Sequence, residues 1–179
     1  MPTTLHYRCL FSTLDRGSVL QFTRQAREMA NLGAVDILIN SRGGSIAAAL
    51  GLLRFLEAFP GVEITTYNME HCDSAAVLLF LAGQRRICRS DASFFLHSLQ
   101  IPVLRRQTAN SLRRELRMLR RETAAVVEEF RKRTVLPAEK WRRMLNDAGT
   151  HLDARAALDA GLATELADPA LEWRTFDVF

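Results

Sequence analysis

"VDILINSRGGSIAAAL" (35–50) decides how this chain is read. Its first five residues are apolar but for Asp36, short enough and apolar enough for a buried strand. The paired Gly43 and Gly44 supply a tight turn, and the small apolar residues from Ile46 open a helix. A strand that turns through glycines directly into a helix is half of a crossover unit. Crossover helices make neighbouring strands parallel.

The same alternation extends outward in both directions. Upstream, "LHYRCLF" (5–11) reads as a strand. The spacing of Val19, Leu20, Phe22, Ala26, Met29 and Ala30 predicts a helix from Ser18 to Asn31, ended by Gly33. Downstream, the helix from Ile46 runs to Phe59 and closes at "PG" (60–61). "VEITTY" (62–67) is the next strand, a helix follows from Ser74, and "RRICR" (85–89) and "SFFLH" (93–97) are short strands. The first half is therefore α/β with a largely parallel sheet of repeated strand–helix units. The second half differs. Residues 107–133 predict one long charged helix with an apolar stripe at Leu112, Leu116, Leu119, Val126, Val127 and Phe130. Pro137 restarts a helix to about Leu145, and "DARAALDAGLATEL" (153–166) reads as helix, glycine stop at Gly161 and final short strand. Without repeats or a low-complexity linker, residues 1–179 are expected to form one domain. Its core falls at about 5–100 and 137–166.

The 179 residues are 48% hydrophobic and 25% charged, ordinary for a soluble globular protein. A net charge of +4, from 24 basic against 20 acidic side chains, is too mild to require a nucleic-acid partner. The basic cluster from Arg105 to Arg121 is interrupted by glutamates, and a solvated helix face or subunit contact is the expectation there. Cys9, Cys72 and Cys88 lie in apolar strand contexts without C-x-x-C or Cys/His spacing. They are expected to be reduced core residues of a cytoplasmic protein, and no metal is implied. "MPTTLHYRCLF" (1–11) has no basic stretch followed by a long apolar one, so no signal peptide is expected. The apolar run Ala75–Ala82 is far too short to span a membrane.

Three local features bear on chemistry, and each has a bland alternative. "INSRGGS" (39–45) exposes backbone N–H groups at a helix start, which suits an anion or oxyanion, but it is also an ordinary strand-to-helix turn. In "EHCDSAAVLLFLAG" (70–83), Ser74 sits before an apolar helix, where free N–H groups stabilise charge on an attacked carbonyl. Ser74 or Asp73 is equally readable as a helix N-cap. His97, at the exit of "SFFL", is placed to take a serine proton, although a lone histidine of this kind is more often structural.

The order of these features carries a resemblance. "INSRGG", then a Ser at a helix start before "LAG", then "FLH", resembles the Clp protease proteolytic subunit family of the Clp-protease/crotonase superfamily, from about Leu5 to Leu166. The similarity is greatest to the divergent Clp-like peptidases that carry Ser-Ala-Ala at the serine. It implies Ser74 as nucleophile, His97 as general base, and the N–H groups of Gly44 and Ala75 as oxyanion hole. It also implies that helix 107–133 is the "handle" that interdigitates between stacked rings. Two departures stand out. Arg42 occupies the place of a proline in the family's glycine turn. In the "DARAALDAGL" region, the position of the family's triad acid falls on Gly149; Asp147, two residues earlier, is the candidate third member. Asp153 fits a helix N-cap, and His151 falls where related sequences often carry an aromatic. Asp73, beside the nucleophile, is expected either to raise the basicity of His97 or to repel an oxyanion.

The resemblance implies a serine peptidase that needs no cofactor, acts on peptide or unfolded protein, and assembles as a homo-oligomer. A silent ring-forming subunit of the same family is the alternative that Gly149 favours; a crotonase-type acyl-CoA enzyme is a third. An AAA+ unfoldase partner is left open. Dependence on one is not expected, since no long segment precedes the first strand to gate an axial pore.

Overall fold

The structure, a computed structural model, describes residues 6–25, 33–100, 106–168 and 177–178. Strand β1 (His6–Phe11) leads to helix α1 (Arg16–Gln25), β2 (Ala34–Ser41), α2 (Ile46–Glu57) and β3 (Glu63–Asp73). Then come α3 (Ala76–Phe80), β4 (Arg85–Cys88), β5 (Ser93–Leu96), α4 (Ala109–Arg133) and α5 (Ala138–Met144). The chain closes with β6 (Thr150–Asp153), α6 (Ala154–Asp159), β7 (Glu165–Leu166) and β8 (Asp177–Val178). Helix α1 starts two residues earlier than its apolar spacing indicates. Asp15 and Ser18 cap it reciprocally, Ser18 N–H donating to Asp15 Oδ1 at 2.9 Å and Asp15 N–H to Ser18 Oγ at 3.1 Å. The expected extension of this helix to Asn31 lies outside the described residues.

The strands form one sheet in the order β6-β5-β3-β2-β1-β8, with β4 between β3 and β7. All its pairings are parallel except β5 with β6. Strand β3 is the organiser. It was expected to stop at Tyr67 but runs on to Asp73, directly before Ser74. Its first half pairs β4 (Thr65 with Arg85 to Asn68 with Cys88), and its last residues pair β5 (His71 with Ser93 to Asp73 with Phe95). The mixed letters "NMEHCD" (68–73) hid this extension, because Asn68, Glu70, His71 and Asp73 interrupt the apolar run although Asn68 and Asp73 are buried. Strand β6 was missed for a similar reason: "THLD" has a single buried residue, Leu152.

The core gathers on both sheet faces. Helix α3 is apolar all round and every residue from Ala76 to Phe80 is buried, so this short helix is internal. Phe80 packs edge-on against Phe94 of β5, their centroids 5.1 Å apart. Cys72 and Cys88 are free and buried, as the apolar contexts indicate. Burial pushes the thiol of Cys88 up to about 12, with Asp91 adding to the shift.

Helix α4 corrects the expected division between core and projecting helix. Its C-terminal residues Val126, Val127 and Phe130 are fully part of the core, where the Phe130 ring packs at a tilt against the buried Trp141 of α5, their centroids 4.6 Å apart. Burial of side chains of this size stabilises by about 1.5–3 kcal/mol each. The core is therefore not complete by residue 100. Toward the N-terminus of the same helix, Leu112, Leu116 and Met118 are 49%, 47% and 51% exposed. Among the described residues, no helix is long and apolar enough to cross a membrane.

Candidate active site

Ser74, His97 and Gly44 line one cleft of about 490 Å³, together with Arg42, Leu99 and Glu122. Three chain segments build it: the glycine turn after β2, the turn after β3, and the exit of β5.

The β3 turn is bent sharply. Ser74 has φ +54°, the one positive φ of a non-glycine residue among those described. A serine in this region costs about 1–3 kcal/mol, so its surroundings must hold it there. They do so from two sides. Ser74 N–H donates to the Phe95 carbonyl at 2.7 Å, which ties the turn to β5. Gly43 lies flat against it: a Cβ on Gly43 would stand 2.7 Å from the Asp73 carbonyl and 2.9 Å from Ser74 Cβ. The capping alternative for this stretch fails on geometry. The residue in the cap position of α3 is Ala75, no side chain caps the helix, and Asp73 turns instead to Arg42. With only five residues in α3, the N–H groups of the turn itself matter more than any helix dipole.

The glycine turn is equally constrained. Leu14 N–H donates to the Gly43 carbonyl at 3.1 Å and Ser45 N–H to the Leu14 carbonyl at 2.7 Å, so the strand-like bridge uses the residues flanking Gly44. Gly44 has φ +145°, and a Cβ there would meet the Leu14 carbonyl oxygen at 2.1 Å. Only glycine fits. Among the described residues, neither Gly44 N–H nor Ala75 N–H donates a hydrogen bond.

His97 follows β5. Its Nδ1 lies 2.7 Å from the Ser98 carbonyl oxygen. A carbonyl only accepts, so in the neutral ring Nδ1 carries the proton and Nε2 keeps its lone pair. That is the tautomer a general base needs. Ser74 and His97 share the cleft without a hydrogen bond between them among the described residues, which is common before substrate binds. Below His97 runs a column of rings. Phe95 is 5.6 Å from the His97 ring and 4.4 Å from that of His151, its partner across β5 and β6.

The acids distribute as follows. Asp153 caps α6, its Oδ1 accepting from Ala156 N–H at 2.7 Å. Asp147 Oδ1 accepts from Ala148 N–H at 2.7 Å, while the Asp147 carbonyl accepts from Ser98 N–H at 3.3 Å. Asp147 thus meets the His97 segment through its main chain, with its carboxylate turned to its own turn. Gly149 stands against Phe95: a Cβ there would be 2.5 Å from the edge of the ring. Asp73 is buried, with Arg42 Nη1 3.0 Å from its Oδ2. Cys72, next to Asp73, is no rival nucleophile. Burial foremost, then Asp73 and Cys88, raises its thiol pKa well above the ordinary range.

Sequence reading missed Leu14, Phe95 and Ser98, which hold the site in place. Phe95 was the accessible one, since period-two alternation puts it on the same face as His97. The carbonyls of Leu14 and Ser98 carry no side-chain signal at all.

In fold, the chain is similar to a ClpP1 mutant from Listeria monocytogenes, with a TM-score of 0.76 and 15% identity over 92% of each chain. It is also similar to a peptidase from Plasmodium falciparum, with a TM-score of 0.73 and 16% identity over 90% of this chain and 96% of that one. No curated protein matches the sequence. At this identity the structural likenesses speak for fold alone. The Clp protease family model matches residues 25–170, a span that holds all three segments of the cleft, and the chain belongs to that family.

Proposed function

We propose that this protein is a serine endopeptidase with Ser74 as nucleophile and His97 as general base. The observation that carries this reading is the Ser74 turn: a strained serine, held by Gly43 and the Phe95 carbonyl, in one cleft with a histidine in the required tautomer. His97 Nε2 takes the Oγ proton as Oγ bonds to the peptide carbonyl carbon. The N–H groups of Gly44 and Ala75 receive the oxyanion, a contribution typically worth orders of magnitude in rate. The tetrahedral intermediate collapses, His97 returns the proton to the leaving amine, and an acyl-enzyme remains on Ser74. Water, activated by the same His97, releases the acid product. No cofactor enters this sequence.

Asp147 is the acid we assign as third member. Its main chain already contacts Ser98, and a rearrangement of this loop that turns its carboxylate from Ala148 N–H to Nδ1 would replace the Ser98 carbonyl there. Peptide enters as an added strand beside the glycine turn, where main-chain pairing suits many sequences. The exposed leucines of α4 are covered by another copy of the chain, in a homo-oligomeric, cytoplasmic enzyme. One observation favours the silent-subunit alternative: the Phe95 ring occupies the space a side chain on residue 149 would need.

A fluorophosphonate distinguishes the two. Wild-type protein should be labelled at neutral pH, and Ser74→Ala should abolish the label. Unlabelled wild type, beside a serine hydrolase that labels, would reject the peptidase reading.

A further inference from the structure

The β2–β3 ladder ends with Ser41 opposite Cys72, just after a register shift. The next residue on each strand is charged: Arg42 on one side and Asp73 on the other, joined at 3.0 Å. Two residues beyond Arg42 is Gly44; two residues beyond Asp73 is Ala75. The ion pair therefore links the two segments that bear the N–H groups proposed for the oxyanion.

The partners are placed very differently. The Asp73 side chain is 6% exposed, whereas that of Arg42 is 76% exposed and lines the cleft. A buried carboxylate beside a nucleophile is awkward, because acylation of Ser74 develops a second negative charge on the carbonyl oxygen. Two like charges at close range in a poorly solvated site repel strongly. The guanidinium is the one cation recorded in contact with Asp73 among the described residues.

We infer that Arg42 is a positioning residue for Ser74 chemistry, acting through Asp73: it neutralises the buried carboxylate and ties the two oxyanion-bearing segments together. This rests on Ser74 being the nucleophile. The effect of Arg42 must then depend on whether Asp73 carries a charge. An arginine that instead gripped substrate directly would act regardless of residue 73.

The experiment is a double-mutant cycle on the rate of Ser74 modification, its phosphonylation by a fluorophosphonate with loss of fluoride and its acylation by an uncharged chromogenic ester. Arg42→Gln should slow both by about tenfold or more, in kcat rather than KM for the ester and in the maximal inactivation rate rather than initial affinity for the fluorophosphonate, because a charge beside a developing oxyanion is worth at least that much. Adding Asp73→Asn to Arg42→Gln should recover rate, and Arg42→Lys should retain most of it. Thermal melts of the four proteins separate this from a folding defect, which would lower both rate and melting temperature with no recovery in the double variant. Equal slowing of single and double variants, or no slowing by Arg42→Gln, overturns the inference while labelled wild type leaves the peptidase reading intact. Wild type that does not label removes both.

Discussion

The two sides of the cleft are built on different terms. On the Ser74 side, the frame is main chain and close approach, with one ion pair beside it: a positive φ, two glycines pressed onto neighbouring backbone, and a ladder that ends just before Arg42 and Asp73, where the turn begins. On the His97 side, support comes from further away. The ring leans on Phe95 and on a carbonyl in the segment 98–99, and that segment meets Asp147 and a groove of about 340 Å³ lined by Leu116 and Leu119 of α4. The difference teaches where each half is vulnerable. The serine side should fail by local change, a steric insult to the turn or loss of the Arg42–Asp73 pair; the histidine side should fail through packing and assembly.

The largest effect is expected on the serine side. Gly44→Ala puts a methyl group 2.1 Å from the Leu14 carbonyl oxygen, on a backbone that L-residues avoid. The turn must move, and the Gly44 N–H moves with it. Losing one such donor costs on the order of 10²–10³ in rate, and we expect the upper end. Acylation kinetics measure it, with sedimentation alongside to show unchanged assembly. A dissociated Gly44→Ala protein would break the distinction between the two sides.

The next effect tests the histidine side from its far end. Leu116→Glu with Leu119→Glu places two carboxylates on the face that borders segment 98–99. If another copy covers this face, the change should reduce the particle size and silence Ser74 together. Misplacing His97 by about 1 Å is enough for roughly a hundredfold loss. Sedimentation and labelling, run on the same sample, should fall in parallel. A wild type that sediments as a monomer at micromolar concentration would defeat the assembly reading.

This contrast also explains what the sequence disclosed. The strand–turn–helix order was legible because buried strands and glycine turns write themselves in residue types: "VDILI" and "GG" need no partner to be recognised. Ser74, His97 and Gly44 were brought together by the family resemblance that their order carries, and all three line one cleft. The strain at Ser74 was not legible, since φ follows from the fit of Gly43 and Phe95 against it rather than from any local letter. Nor was the fate of the α4 stripe. Leu116 and Phe130 share one periodicity, yet one is half exposed and the other buried, because periodicity names a face and not what meets it. The salt bridge from Arg42 to Asp73 is hidden by its span of 31 residues, which no local pattern bridges.

A smaller effect, about tenfold, is expected of Asp147→Asn, because the Ser98 carbonyl already secures the tautomer that an acid would otherwise hold alone. Asp153→Asn should scarcely change the rate. Its side chain caps α6 and asparagine caps about as well, so the melting temperature should also hardly move, whereas Asp153→Ala should cost about 0.5–2 kcal/mol of stability. The kcat of Asp147→Asn against the melting temperature of Asp153→Ala sharpens the histidine side into two roles. Equal, small changes in kcat would leave the Ser98 carbonyl as the orienting group for His97.

The smallest effect concerns the ring column. Gly149→Ala sets a methyl 2.5 Å from Cε2 and 2.6 Å from Cζ of Phe95. These are atoms at the far end of a half-buried side chain, so the ring can tilt away without moving the sheet. We expect a loss of about 1 kcal/mol in stability, the low end of overpacking. The accompanying fall in acylation rate should be smaller than that of Asp147→Asn, since Phe95 supports the His97 ring by contact and donates nothing to it. Phe95→Leu in the same protein should remove the crowding and restore the melting temperature, which distinguishes ring displacement from backbone strain. Should Gly149→Ala instead match Gly44→Ala in severity, the column would be as rigid as the serine turn, and the two sides of the cleft would not differ as argued.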